Sequence, residues 1–178
     1  MTKQEWCSHL KKAISKKKVE QLAESVSTSE SVKELIDLTF HPQYQIAFRA
    51  AWILEYTLIY SPNALQTKLE YFLIAYEKQK NYSCQRHFSK ILMFFTAKAN
   101  ERLLRIYPLE LVVETTFKWL IDPETPVAVQ VNCMDILFNL KDRFNWIEEE
   151  LKEQINFLLK NGTAAMQSRG KKLLKKLR

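Results

Sequence analysis

Residues 35–56 have the sequence LIDLTFHPQYQIAFRAAWILEY, and residues 117–140 have the sequence FKWLIDPETPVAVQVNCMDILFNL. Each stretch contains two runs of apolar residues that recur every three or four positions, joined by a short turn with a proline. Apolar residues at this spacing lie on one face of an α-helix, and a proline ends a helix at or before the preceding residue. Each stretch therefore predicts an antiparallel pair of helices.

The same pattern continues along the chain and predicts ten helices in five pairs. Their ranges are 2–14, 16–26, 32–40, 43–60, 64–79, 83–99, 109–121, 126–144, 146–160 and 163–178. We expect Ser29 or Ser31 to cap the third helix, Asn145 the ninth and Thr163 the tenth, because short polar side chains accept a hydrogen bond from the first turn.

The composition favours an all-α protein of one domain, residues 1–178. The chain has 178 residues, of which 47% are hydrophobic, so it can bury a core. It contains only two Gly and five Pro, whereas a sheet protein with many hairpins needs more of both. Two glycines also cannot build a glycine-rich phosphate loop, which excludes the nucleotide-binding folds that depend on one.

An apolar doublet recurs in the second helix of four predicted pairs. The doublets are Ile53-Leu54, Ile91-Leu92, Ile136-Leu137 and Leu173-Leu174, separated by 38, 45 and 37 residues. A connector at 100–107 lengthens the middle interval, so the underlying period is near 38 to 40 residues. Such a period with two helices per repeat is typical of a helical solenoid, whereas a four-helix bundle would need longer helices with heptad seams.

On these residues the chain resembles HEAT and armadillo-like repeat proteins. The matching positions are Asp122, Pro123 and Val127 in the turn, and Ala50, Ala51 and Cys133 where the family has small residues. The resemblance covers residues 31–178 and implies an all-α fold, a right-handed α-α superhelix (a HEAT-like solenoid) of about five antiparallel helix pairs. Because such arrays serve many roles, the resemblance specifies the fold rather than the function.

The cysteines and the apolar runs predict the compartment. Cys7, Cys84 and Cys133 are odd in number and far apart, which fits a reducing compartment and a small hydrophobic role for the last two. The first residues lack the apolar core of a signal peptide, and no run approaches the length of a membrane span. We expect a soluble, cytoplasmic protein.

The sequence predicts no metal site, no cofactor and no catalytic residue. His9, His41 and His87 fall in different helix pairs, and no metal-ligand motif surrounds any of them. The leading hypothesis is therefore a non-enzymatic interaction module, a scaffold or adaptor that binds a protein or peptide on the concave face lined by the second helices.

Candidate partner-binding residues lie on the second helices, on the side away from the predicted core. They are Arg49, Trp52, Tyr56, Arg86, Lys90, Asn132, Asp135 and Asn139. Trp, Tyr and Arg commonly anchor binding patches, since they bury a large area at low entropic cost. The alternative for Trp52 and Tyr56 is packing against the adjacent repeat.

Both termini are basic, which gives nucleic-acid binding as the alternative function. Residues 1–18 carry six Lys and one Glu, and residues 163–178 carry six basic residues and no acid, within a net charge of +7. The candidate phosphate-binding residues are Lys16, Lys17, Lys18, Lys171, Lys172 and Lys175. The chain also resembles HEAT-like DNA alkylation-repair glycosylases in helix pairing, net charge and the presence of Arg49, Trp52, Trp119 and Asp122, although solvated terminal helices explain the charge equally well.

Overall fold

The computed structural model describes residues 1–177, and this part of the chain contains eleven α-helices, one 3₁₀ helix and no β-strand. The helices are α1 (Lys3–Lys11), α2 (Lys16–Glu24), α3 (Ser29–Leu38), α4 (Tyr44–Tyr60), α5 (Pro62–Gln66), α6 (Leu69–Lys78), α7 (Tyr82–Thr96), α8 (Glu110–Ile121), α9 (Val127–Leu140), α10 (Ile147–Leu159) and α11 (Ala164–Leu174), with the 3₁₀ helix at Glu101–Leu104. The all-α class predicted from the sequence is confirmed.

The chain divides into two compact units. The first unit is Met1–Ile91 and the second begins at Leu92, so the division falls inside α7. In the first unit, α1, α2 and α3 pack against α4. In the second unit, α8, α10 and α11 pack against α9. The single domain at 1–178 stays a prediction.

Hydroxyl side chains set several helix starts. Thr2 forms a capping box with Glu5, while Ser15 caps α2 and Thr163 caps α11, as predicted for the last of these. The prediction that Ser29 or Ser31 caps α3 is wrong. Thr28 accepts the Ser31 N–H at 3.2 Å, so α3 begins three residues earlier than predicted.

Two further helix predictions are wrong for local reasons. The predicted helix at 64–79 is interrupted, because Lys68 leaves helical geometry between α5 and α6 and the Thr67 hydroxyl bonds to the Ala64 carbonyl at 2.7 Å. Asn145 does not cap α10, since Trp146 occupies that position and makes no side-chain capping bond. The predicted end of the last helix, Arg178, lies outside the described residues.

The predicted buried side of α4 is confirmed. All its members are buried, namely Ile46, Ala50, Ile53, Leu54 and Thr57. The Thr57 hydroxyl donates a hydrogen bond to the Ile53 carbonyl at 3.0 Å. A hydroxyl bonded to its own helix removes the cost of a buried polar group.

Cys84 and Cys133 are buried in the core, as predicted. Burial raises the pKa of the Cys84 thiol to about 12 and raises that of Cys133 as well. Both thiols are therefore neutral at physiological pH and pack as small hydrophobic groups.

Several side-chain hydrogen bonds join residues about one repeat apart in the sequence. Four such pairs are separated by 39 or 40 residues: Arg49 and Leu10, Tyr44 and Ser83, Gln79 and Thr39, and Arg143 and Leu104. Other side-chain bonds between helix pairs span, for example, 32 residues (Glu55 and His87) and 43 residues (Asn139 and Thr96), so the separations scatter around the period of 38 to 40 residues that the apolar doublets predict. These bonds connect helix pairs that follow one another in the chain.

Candidate partner-binding surface

The second helices α4 and α7 lie side by side and run in the same direction. Tyr44 bonds to Ser83, the Phe48 ring lies 5.4 Å from the His87 ring, and Glu55 bonds to Lys90 further along both helices. Parallel second helices in consecutive repeats are what a helical solenoid requires. We call the surface formed by Trp52, Tyr56, Arg86 and Lys90 the α4–α7 face.

Two aromatic side chains form the centre of the α4–α7 face. The Trp52 ring lies 5.9 Å from Phe48 and 6.4 Å from Tyr56, both on its own helix. Trp52 and Tyr56 are half-buried, so each ring is partly covered by protein and partly accessible to solvent. The sequence left two alternatives for these side chains, partner binding and packing against the adjacent repeat. Partial burial of both rings lies between these alternatives.

Arg49 has a structural contact that the sequence did not reveal. Its Nη1 donates to the Leu10 carbonyl at 2.7 Å and the Lys11 carbonyl at 3.3 Å, at the end of α1. The last carbonyls of a helix lack partners within the helix, so the guanidinium closes α1. Of the predicted α4 residues, Arg49 thus tethers the first repeat, whereas Trp52 and Tyr56 form the open surface.

A network of ionisable side chains fixes the edge of the α4–α7 face. Glu55 Oε2 lies 2.5 Å from His87 Nδ1, and Glu55 Oε1 accepts from Lys90 Nζ at 2.9 Å. Glu55 and His87 are largely buried, whereas Lys90 is 41% exposed at its side chain. The network joins α4 to α7 and fixes Lys90 of α7 against Glu55 of α4.

Two opposing effects set the ionisation of Glu55. Burial by itself raises the pKa of Glu55, but the hydrogen bonds and charges of His87 and Lys90 outweigh it, so the pKa lies below its ordinary value. Glu55 is therefore an anion at neutral pH and neutralises part of this face. Arg86, one helical turn before Lys90, is exposed and forms no ion pair with a described residue.

Sequence reasoning missed Glu55 and His87. Glu55 interrupted an apolar run, and His87 had no metal-ligand motif around it, so neither was selected. The available signal was their separation of 32 residues, together with 35 for Glu55 and Lys90, which is close to one repeat. An acid and a base one repeat apart on second helices can meet across parallel neighbours.

In the second unit, two of the predicted partner-binding residues on α9, Asp135 and Asn139, form side-chain hydrogen bonds. Asp135 Oδ1 accepts from Arg169 Nη1 at 3.0 Å, and Asn139 donates to the Thr96 hydroxyl at 3.3 Å. Burial raises the pKa of Asp135 and outweighs the positive charges of Arg169, Lys172 and Lys176. Asn132 is half-buried on the same helix.

Cations surround an aromatic ring between α9 and α11. Lys141 Nζ lies 6.0 Å and Lys176 Nζ 5.9 Å from the centre of the Phe138 ring. We call the surface formed by Asp135, Phe138, Arg169 and Lys176 the α9–α11 face. Asp135 contacts Arg169 in α11, and Phe138, further along α9, contacts Lys176 just after the end of α11, so the two segments run in the same direction.

The basic termini differ in their contacts. Lys16 forms an ion pair with Glu20 at 3.7 Å, Lys17 is exposed, and the Lys18 amide donates to Ser15 as part of the α2 cap. The lysines of the last helix and its end, Lys171, Lys172, Lys175 and Lys176, are all exposed. Arg178, the last basic residue, lies outside the described residues.

The residues that resemble those of alkylation-repair glycosylases have local roles. Asp122 accepts from the Glu124 amide at 2.9 Å and from the Thr125 hydroxyl at 3.4 Å, within its own turn. Trp119 is only 7% exposed. Asp122 therefore stabilises its own turn and Trp119 packs in the core, and the resemblance to alkylation-repair glycosylases stays a prediction.

Residues 1–177 contain no group of three or more His, Cys, Asp or Glu side chains placed to hold a metal ion. In the same residues, none of the helices combines the length and the apolar character needed to cross a bilayer.

A chain of consecutive helix pairs, with parallel second helices and side-chain bonds 39 to 40 residues apart, defines a helical-repeat protein. The sequence profile of the HEAT repeat domain matches residues 6–177. The chain therefore belongs to the HEAT repeat family, as its sequence predicted. A search of curated proteins found no match.

Proposed function

We propose that this HEAT repeat protein is a non-enzymatic interaction module that binds a segment of another protein on its α4–α7 face. One observation carries the proposal: Trp52 and Tyr56 are half-buried on a helix whose other side is core. Half-exposed aromatic side chains on a rigid element give binding energy without a large ordering cost.

The chemistry of the partner follows from the cations on α7, the helix next to the one that carries the aromatic pair. Arg86 is exposed without an ion pair, and Lys90 keeps an exposed side although it bonds to Glu55. An aromatic pair on α4 and two cations on the neighbouring α7 fit a peptide that presents an apolar side chain and a carboxylate. Arg is well suited here, because its planar guanidinium binds carboxylates in bidentate fashion.

A selection from a displayed library of random 12-residue peptides, on the immobilised full chain, tests this function. We expect binding peptides whose affinity falls at least tenfold with Trp52→Ala, since an aromatic anchor contributes about 2 kcal/mol or more. The matched control is Trp146→Ala, which removes the 51% exposed indole of the second unit. Peptides that bind the Trp52→Ala variant as tightly as the wild type, or a selection that enriches no peptide, contradict the proposal.

A second candidate function is nucleic-acid binding by α11, supported by its exposed lysines. Lys171, Lys172 and Lys175 lie on one side of the helix and residues 163–178 contain no acid, so that Asp135 of α9, which interacts with Lys172, offsets only part of the charge. Binding through phosphates falls steeply with salt, with a logarithmic slope of about −0.9 per contact. Fluorescence anisotropy of labelled DNA and RNA at about 50 and 200 mM salt separates this candidate from peptide binding.

A further inference from the structure

The first helices of the first unit form an apolar groove that the proposed function does not use. Between α3 and α6 lies a cavity of about 300 Å³, lined by Ile36, Phe40, Tyr71, Ile74, Ala75 and Lys78, with Asp37 at one end. Ile36 and Ala75 are buried and form its floor. Phe40 is 45% and Ile74 44% exposed, so two large apolar side chains stand at its walls.

The carboxylate at one end of this α3–α6 groove, Asp37, already has hydrogen-bond partners within the protein. Asp37 accepts from the Tyr71 hydroxyl and from Lys33 Nζ, the latter at 2.8 Å. Lys33 Nζ also lies 5.3 Å from the centre of the Tyr71 ring. These three side chains join α3 to α6, so the groove keeps its shape without an occupant, as a preorganised site requires.

One cation that lines the groove, Lys78, has no acid of a described residue within hydrogen-bonding distance. Lys78 is exposed at the other end and forms no ion pair with a described residue. Its neighbour Glu77 is half-buried and does not line the groove. Lys33 and Tyr71 occupy Asp37, and Glu77 interacts with Lys78 through its charge alone, so the Lys78 ammonium keeps its hydrogen-bond donors for a carboxylate in the groove.

We propose that the α3–α6 groove binds a protein segment that presents a bulky apolar side chain next to an aspartate or glutamate. The apolar side chain occupies the space between Phe40 and Ile74, and the carboxylate approaches Lys78. A volume of about 300 Å³ lies at the lower end of the range for ligand sites and fits one or two side chains rather than a whole helix. This second surface is independent of the α4–α7 face.

The same 12-residue peptide library, selected on the full chain, tests the groove. We expect a class of peptides with Phe, Leu or Trp beside Asp or Glu, whose affinity by fluorescence anisotropy falls at least tenfold with Ile74→Glu. The matched control is Ile59→Glu, on α4 of the same unit, because Ile59 is 68% exposed and does not line the groove. Trp52→Ala leaves this class unchanged, which separates the groove from the α4–α7 face.

Charge reversal tests the carboxylate. Lys78→Glu is expected to weaken the same peptides about twofold to fivefold, the range for an exposed ion pair, whereas Lys80→Glu, two residues away and exposed, leaves their affinity unchanged. The proposal is overturned if no peptide class is sensitive to Ile74→Glu, or if the sensitive peptides lack acidic residues and ignore Lys78→Glu.

Discussion

The α4–α7 face of the first unit and the α9–α11 face of the second share a parallel register but differ in how a carboxylate is used. Glu55 bonds to both His87 and Lys90, and its pKa is lowered. Asp135 bonds to Arg169, and its pKa is raised by burial. The same repeat geometry therefore favours ionisation of Glu55 in one unit and disfavours ionisation of Asp135 in the other. The fold alone does not determine the chemistry of its surfaces.

The four tryptophans extend this comparison, since each unit has one buried and one partly open indole. Trp6 is 0% and Trp119 7% exposed, so replacing either by Ala is expected to cost about 3 to 5 kcal/mol. Trp52→Ala and Trp146→Ala are expected to cost less than about 1.5 kcal/mol, because solvent fills the space they leave. Denaturant unfolding followed by circular dichroism measures all four. A cost for Trp52→Ala equal to that for Trp119→Ala would place Trp52 in the core.

Conservative replacement of the two carboxylates gives effects of opposite sign. Glu55→Gln removes a charge that two bases stabilise, so we expect a loss of about 1.5 to 3 kcal/mol at pH 7. Asp135→Asn removes a charge that burial disfavours, so stability at pH 7 is expected to stay equal or rise. Equal losses in the two variants would remove the distinction between the two faces.

The pH dependence of folding stability follows from the directions in which the pKa values of Glu55 and Asp135 are shifted. Because the pKa of Glu55 is lowered in the folded state, its contribution is present above the ordinary value of 4.5 and is lost as the pH falls through the lowered pKa. The difference between wild type and Glu55→Gln therefore shrinks in acid. For Asp135 the raised pKa makes ionisation costly as the pH rises above the ordinary value of 3.8, so Asp135→Asn gains relative to wild type in that direction. Thermal unfolding from pH 3 to 8 measures both trends.

Two arginines test the links between consecutive repeats. Arg49 donates through Nη1 to the carbonyls of Leu10 and Lys11, and Arg143 donates through Nη1 and Nη2 to those of Leu104 and Tyr107. Lysine keeps the charge but lacks the planar fork, so Arg49→Lys and Arg143→Lys are each expected to lose about 0.5 to 1.5 kcal/mol. Similar losses in denaturant unfolding support one shared role. No change in either variant would show that these contacts leave stability unaffected.

The smallest effect on stability is expected at the exposed lysines of α11. Lys171→Glu and Lys175→Glu should change the free energy of unfolding by no more than about 0.5 kcal/mol, since both side chains are exposed. If α11 binds nucleic acid, each reversal also reduces the salt slope of binding, by about one phosphate contact. An unchanged slope would exclude the phosphate role of these residues.

The sequence predicted the features that depend on the periodicity of apolar residues. It did not predict the cap of α3, the break between α5 and α6 or the polar contacts between repeats, which depend on individual side chains. The buried side of α4, the two core cysteines and the period all follow from apolar spacing. The cap at Thr28 and the break at Lys68 depend on local hydrogen bonds that several neighbouring residues can make equally well. The partners of Glu55 and Arg49 lie 32 to 39 residues away, and apolar spacing carries no information on which polar side chains meet across repeats.

The most direct test of the interaction function is the affinity of the selected peptides for three proteins: wild type, Trp52→Ala and Trp146→Ala. We predict at least a tenfold loss of affinity for Trp52→Ala, with an unfolding transition close to that of the wild type and with no loss for Trp146→Ala. Unchanged affinity for Trp52→Ala, or a loss that accompanies a collapsed unfolding transition, would contradict a binding role for the α4–α7 face.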